Sequence, residues 1–108
     1  PSNIDWDSHI DTLRQAIAFA KEGGNEKDLA AKVESAPDDL DARLALAAAY
    51  AARKAWQDAM DQLLEVIRRN KGHKDGQARK ELVAIFNLAN DQPDLVSAYR
   101  RKLASLLN

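Results

Sequence analysis

The sequence predicts an all-α protein, a right-handed stack of about three antiparallel helical hairpins made from six helices. Three observations carry this expectation. Of the 108 residues, 20 are Ala and 13 are Leu, while Val and Ile together number only 9. Ala and Leu are the strongest apolar helix formers, whereas β-branched residues favour strands. Apolar residues recur at three- and four-residue steps along six segments, and no segment alternates apolar and polar residues over a strand length. The loops between segments are about two to six residues long, which forces successive helices antiparallel.

The first helix is predicted from about Asp5 to Glu22, with Trp6, Ile10, Leu13, Ile17 and Ala20 as its apolar stripe. Gly23 and Gly24 stop it, because glycine accepts the left-handed cap conformation. The second runs from about Glu26 to Ser35, with Asn25 as its cap and Leu29 and Val33 facing inward. Pro37 ends it, since the residue before a proline avoids the helical region. The third runs from about Asp39 to Arg53, capped by Asp38 or Asp39. Leu40, Leu44, Ala47 and Ala51 form one row, and Leu46 and Tyr50 a second. Its alanines let neighbouring helices approach closely.

The fourth helix is predicted from about Ala55 to Asn70, burying Trp56, Ala59, Met60, Leu63, Leu64 and Ile67. Arg68, Arg69 and Lys71 complement its negative end, and Gly72 closes it. The fifth runs from about Gly76 to Ala89, capped by Asp75, with Ala78, Leu82, Ile85, Phe86 and Ala89 inward. The sixth runs from about Pro93 to Leu107, with Leu95, Tyr99, Leu103, Leu106 and Leu107 as its stripe. Pro93 fits the first turn, where a missing N–H costs nothing. The hairpins span about residues 5–36, 38–71 and 75–107, within one domain.

The hairpins repeat, with the first and third units degenerate; the alternative is a chance amphipathic helical bundle. At a shift of 34, Ile10 falls on Leu44, Leu29 on Leu63 and Val33 on Ile67. At a shift of 36, Leu46 falls on Leu82, Tyr50 on Phe86, Ala59 on Leu95, Leu63 on Tyr99 and Ile67 on Leu103. The first shift is the tetratricopeptide period. The second places two extra residues in the third unit, expected in the loop Asn90–Asp94. The middle hairpin resembles a tetratricopeptide repeat most closely: Leu46, Ala47, Tyr50, Ala59 and Leu63 supply its large, small, aromatic, small and large positions. It departs at two places, with Lys54 where the motif has its turn glycine and Lys71 where it has its closing proline. Pro37 fits the closing position of the first hairpin. The fold expected is therefore a tetratricopeptide-repeat-like solenoid.

The composition excludes several kinds of chemistry. With no cysteine, disulfides and zinc-thiolate sites within the chain are ruled out. The longest apolar stretch, Leu44–Ala52, is too short to span a bilayer, so no membrane partner is expected. The net charge of −1 lacks the basic excess of a generic nucleic-acid binder. The charge is nevertheless polarised. Residues 1–50 hold 10 acids and 5 bases, net −5, and residues 51–108 hold 7 acids and 11 bases, net +4. Such a molecule either steers a charged partner or simply solvates its two ends.

No catalytic constellation is visible, and neither a cofactor nor a metal is expected. His9 and His73 stand alone without ligand spacing, and Ser8 beside His9 is no triad. The carboxylates at Asp5/Asp7 and Asp38/Asp39/Asp41 lie at helix starts, where capping accounts for them. The basic run from Arg68 to Lys74, with Arg79 and Lys80, offers phosphate contacts but no interleaved aromatics for stacking on bases. Trp6 and Trp56 are expected in the core or at stacking interfaces.

Several longer stretches carry a family resemblance: DLAAKVESAP (28–37), WQDAMDQLLEVIR (56–68), DGQARKELVAIFNLA (75–89) and DLVSAYRRKLASLL (94–107). Over about residues 26–108 the chain resembles the C-terminal domain of the bacterial thioredoxin-like co-chaperones called chaperedoxins. The resemblance implies an N-terminal thioredoxin-fold domain outside this chain, which opens on Pro1 and is expected to be a fragment. It implies a cytoplasmic, non-catalytic role in which the domain docks on the chaperonin ring or holds unfolded client proteins. By matching motif, the docking residues would be Tyr99, Arg100, Arg101, Lys102, Leu103, Leu106 and Leu107. Family members often end on an aromatic or large apolar residue, whereas this chain ends on Asn108.

Read from the residues themselves, the sixth helix is amphipathic, basic on one side, and has no following helix to cover it. Leu106 and Leu107 are then either a docking surface, with the basic residues pairing to a partner's acids, or packed on the fifth helix. A self-association or scaffold role is the alternative, and an anion or nucleic-acid role a weaker third.

Overall fold

A computed structural model describes residues 10–11, 13–15, 17–18 and 26–107. The features expected at Asp5, Trp6, Asp7, Ser8, His9, Ala20, Gly23, Gly24, Asn25 and Asn108 lie outside the described residues. The described residues form six α-helices, one 3-10 turn and no strand. The described part of 10–18 is helical and forms α1. It is followed by α2 (Glu26–Ser35), α3 (Leu40–Ala52), α4 (Trp56–Arg69), the 3-10 turn His73–Gly76, α5 (Gln77–Leu88) and α6 (Pro93–Leu107). The most extensive backbone packing is α3 on α4, followed by α4 on α5, α2 on α3 and α6 on α4.

The alanines of α3 have a structural reason. This helix serves two cores at once. Leu44, Ala47 and Ala51 face the main core, with Leu13 of α1, the buried stripe of α4, and residues of α5 and α6. Ala42 and Leu46 face a smaller core against Val33 of α2, with Leu29 and Ala30 packed beside it and Tyr50 touching both cores. A helix buried on two sides needs small side chains to let both neighbours close in.

Local chemistry fixes the helix ends. Asp39 is the N-cap of α3, its carboxylate accepting from the Ala42 N–H at 3.0 Å. At the other end the Lys54 N–H donates to Ala51 O at 3.0 Å and the Ala55 N–H to Tyr50 O at 2.9 Å. This is a Schellman closure whose left-handed residue is Lys54, at φ 62°. The motif's turn glycine is thus replaced by lysine, but its backbone conformation is kept.

Several expectations are corrected. The buried stripe of α4 includes Val66, while Leu64 is only half-buried; in α6, Val96 is buried and Leu95 half-buried. Gly72 does not close α4 with a left-handed cap, because its φ is −91° and the C-cap is Asn70. Asp75 does not cap α5. That position belongs to Gly76, and Lys74, Asp75 and Gly76 are all left-handed, at φ 50°, 59° and 76°. The longer repeat spacing arises in this α4–α5 connection and not at 90–94. The 36-residue offset already relates Leu46 of α3 to Leu82 of α5, so the extra residues must precede α5.

Candidate functional site

The C-terminal helix is the candidate docking element, and the stack divides its seven predicted residues into two sets. Tyr99 is 3% exposed and Leu103 8% exposed. Both belong to the main core, with Leu106 partly buried beside them. They hold α6 onto the stack. A buried phenol requires a partner for its hydroxyl, and Tyr99 donates to Asp61 of α4 at 2.5 Å. Burial is the main reason the phenol is pushed up to about 12, with the Asp61 hydrogen bond acting in the same direction.

Arg100, Arg101 and Lys102 are exposed, and none has a carboxylate partner among the described residues. Two of them lie over rings of the core. The Arg100 guanidinium stands 5.4 Å from the Phe86 ring centroid and the Lys102 ammonium 4.4 Å from that of Tyr99. Such cation–π contacts are worth on the order of 0.5–1 kcal/mol at exposed sites and hold the side chains close to the helix surface. Arg101, between them, points away from the core. The outer face adds Ser97, Ala104 and Ser105, all exposed. It is therefore basic and polar, in contrast to the side that carries Tyr99 and Leu103.

The large exposed apolar side chains among the described residues are Leu88, 42% exposed, and Leu107, 40% exposed. Leu88 ends α5 and lies next to the start of α6 in the chain; Leu107 ends α6. Some 20 Å of helix separates the two ends of α6, so these leucines do not form one patch. Leu107 is the apolar residue that adjoins the basic face.

The other basic cluster is largely neutralised. Arg68 and Arg69 both hold Glu65, Arg69 also pairs with Asp38, and Lys74 Nζ lies 3.4 Å from Asp41. The Arg68 hydrogen bond chiefly, with Arg69 adding to it, draws the Glu65 carboxyl down to about 2. His73, expected as a lone surface histidine, sits with Nε2 at 2.8 Å from Asp41 Oδ1 and has most of its side chain covered. That contact is the leading cause of the lowered Asp41 carboxyl. Lys71, Arg79 and Lys80 are left without acidic partners among the described residues, too few for an extended phosphate track.

Sequence reasoning missed two polar residues. Asp61 carries no mark of its own in the sequence, and the signal for it was the buried Tyr99, which needed an acceptor on a neighbouring helix. Glu81 is 0% exposed on α5, with Oε2 accepting from Gln77 Nε2 at 2.7 Å and Oε1 without a partner. Its signal was its place beside Ala78, Leu82 and Ile85 on the inward side of the helix period. Burial pushes its carboxyl up to about 7.

Among the described residues, no group of three His, Asp or Glu is placed to hold a metal ion, and no helix is long and apolar enough to cross a membrane. A family model described as tetratricopeptide repeat matches residues 19–108. Comparison with curated proteins and with solved structures returns no match.

Proposed function

From the premise that the chain belongs to the tetratricopeptide repeat family, whose repeats generally mediate protein–protein interaction and are typically non-catalytic, we propose that it is the interaction domain of a chaperedoxin-like co-chaperone. In this reading α6 docks on an acidic surface of the chaperonin ring, and the domain passes unfolded client proteins to it in the cytoplasm. The observation that carries the reading is the run Arg100, Arg101 and Lys102, exposed on the terminal helix without acidic partners among the described residues, with Leu107 beside it. Tyr99, Leu103 and Leu106 serve by fixing the helix, and the four exposed residues make the contact. Charges of this kind steer encounter and set salt dependence, while the apolar residue supplies the desolvated contact.

The test compares two surface variants for binding to the purified ring. Arg101→Glu should slow association and flatten the salt dependence. Leu107→Asp should speed dissociation. Both change side chains at the surface, so both should keep the far-ultraviolet circular dichroism of the parent. Undiminished affinity in two folded variants removes α6 as the docking element.

The exposed Leu107 supports a second reading, self-association in which the apolar end of α6 joins two copies. It predicts a mass that rises with concentration in sedimentation.

A further inference from the structure

We propose that Asp75 is a site of spontaneous isomerisation to isoaspartate, a modification built into the turn that starts α5. Asp75-Gly76 is the one Asp-Gly pair in the sequence, and there is no Asn-Gly. In such a pair the following amide nitrogen carries no hindering side chain, because glycine has no Cβ. The Gly76 nitrogen attacks Cγ of the protonated Asp75 carboxyl. A C–N bond forms, the carboxyl hydroxyl leaves as water with the amide proton, and a five-membered succinimide closes. Water then adds at one of two carbonyls. Attack at Cγ restores aspartate; attack at the backbone carbonyl leaves the chain running through Cβ and Cγ. No oxidant or reductant is required, and the product has the mass of the starting chain.

Three features of the fold favour this position; Asp91 shares the first two, exposed and outside the helices, but is followed by Gln92, whose Cβ hinders its amide nitrogen. The Asp75 carboxylate has no hydrogen bond or ion pair among the described residues, and the residue is exposed. Its neighbour Lys74 reaches to Asp41 instead. By contrast, the aspartates at 38, 39, 41 and 61 are each held by a named partner. The pair also precedes α5, so Asp75 and Gly76 lie outside the regular α-helical ladder that protects aspartates such as Asp58. Finally, Lys74 and Asp75 are non-glycine residues in the left-handed region, at φ 50° and 59°. The β-linked product carries one more rotatable methylene, which frees residue 75 from that conformation.

The full chain, incubated at physiological temperature in neutral buffer, is the material for the test. Isoaspartate is read at each position by peptide mapping with electron-transfer fragmentation. Transfer of labelled methyl groups by an isoaspartyl methyltransferase gives the total. The expected result is accumulation at residue 75 several-fold faster than at any other aspartate, and loss of that signal in Asp75→Glu, whose longer side chain would have to close a larger ring. Parallel incubation in denaturant supplies the comparison with the unfolded chain. Accumulation at 75 no faster than elsewhere in the native chain, or only after denaturation, overturns the proposal.

Discussion

Lys54 is exposed, has φ at 62°, and takes the left-handed position that the repeat motif normally gives to glycine, with its own N–H and that of Ala55 closing α3. The left-handed region costs an L-residue with a Cβ roughly 1–2 kcal/mol. Glycine avoids that cost, but its greater freedom in the unfolded chain returns roughly 0.5–1 kcal/mol. Since an exposed lysine gives up little packing, Lys54→Gly should stabilise the chain by about 0.5–1 kcal/mol. At about 4–8 °C per kcal/mol for a domain of this size, the midpoint should rise by roughly 2–8 °C. Urea titration and thermal melting, both followed by circular dichroism, measure it. Lys54→Ala is the informative control, because it removes the charge but keeps the Cβ. It should leave the midpoint nearly unchanged. A glycine variant no more stable than the parent, or an alanine variant that gains as much, would refute the backbone argument.

Other expectations follow from single residues. Glu81 is protonated in the folded chain below about 7, but ionises from 4.5 in the unfolded chain. Its folded pKa is raised, so stability falls as pH rises from 4.5 to about 7 and then levels off. The loss amounts to ~3 kcal/mol. Glu81→Gln should remove that slope and be the more stable form at about pH 8, as equilibrium unfolding across pH would show. Tyr99→Phe deletes the bond to Asp61, which remains hydrated, and should cost about 1 kcal/mol in the same assay while leaving the helix content unchanged. Leu63→Ala opens a cavity where α4 meets its neighbours, and should cost about 2–5 kcal/mol with loss of cooperative melting.

The fold was legible because its determinants are local and periodic. The bounds of α2 and α6 coincide with those read from capping and proline, and the repeat offset placed Leu82, Tyr99 and Leu103 where their counterparts in the middle hairpin are buried, and Phe86 where Tyr50 is half-buried. The α4–α5 connection was not legible. Its three left-handed residues include Lys74, which has no preference for that region, and Asp75, whose modest preference does not mark a turn by itself, and the turn is held by His73 and Lys74 meeting Asp41 more than thirty residues earlier. Pairings at that sequence distance leave no periodic trace. The proposed docking helix was legible in part. Amphipathicity marks both a core stripe and an exposed stripe, and only the stack separates Tyr99 and Leu103, turned inward, from Arg100, Arg101, Lys102 and Leu107, turned out.

The central claim is that the exposed side of α6 recognises an acidic partner surface. Binding of the folded chain to the purified chaperonin ring, titrated at moderate and at high salt with serum albumin as the control, tests it most directly. The account predicts saturable binding to the ring that weakens as salt screens the contact. Saturable binding indifferent to salt, or no binding by a chain with full helix content, would contradict it.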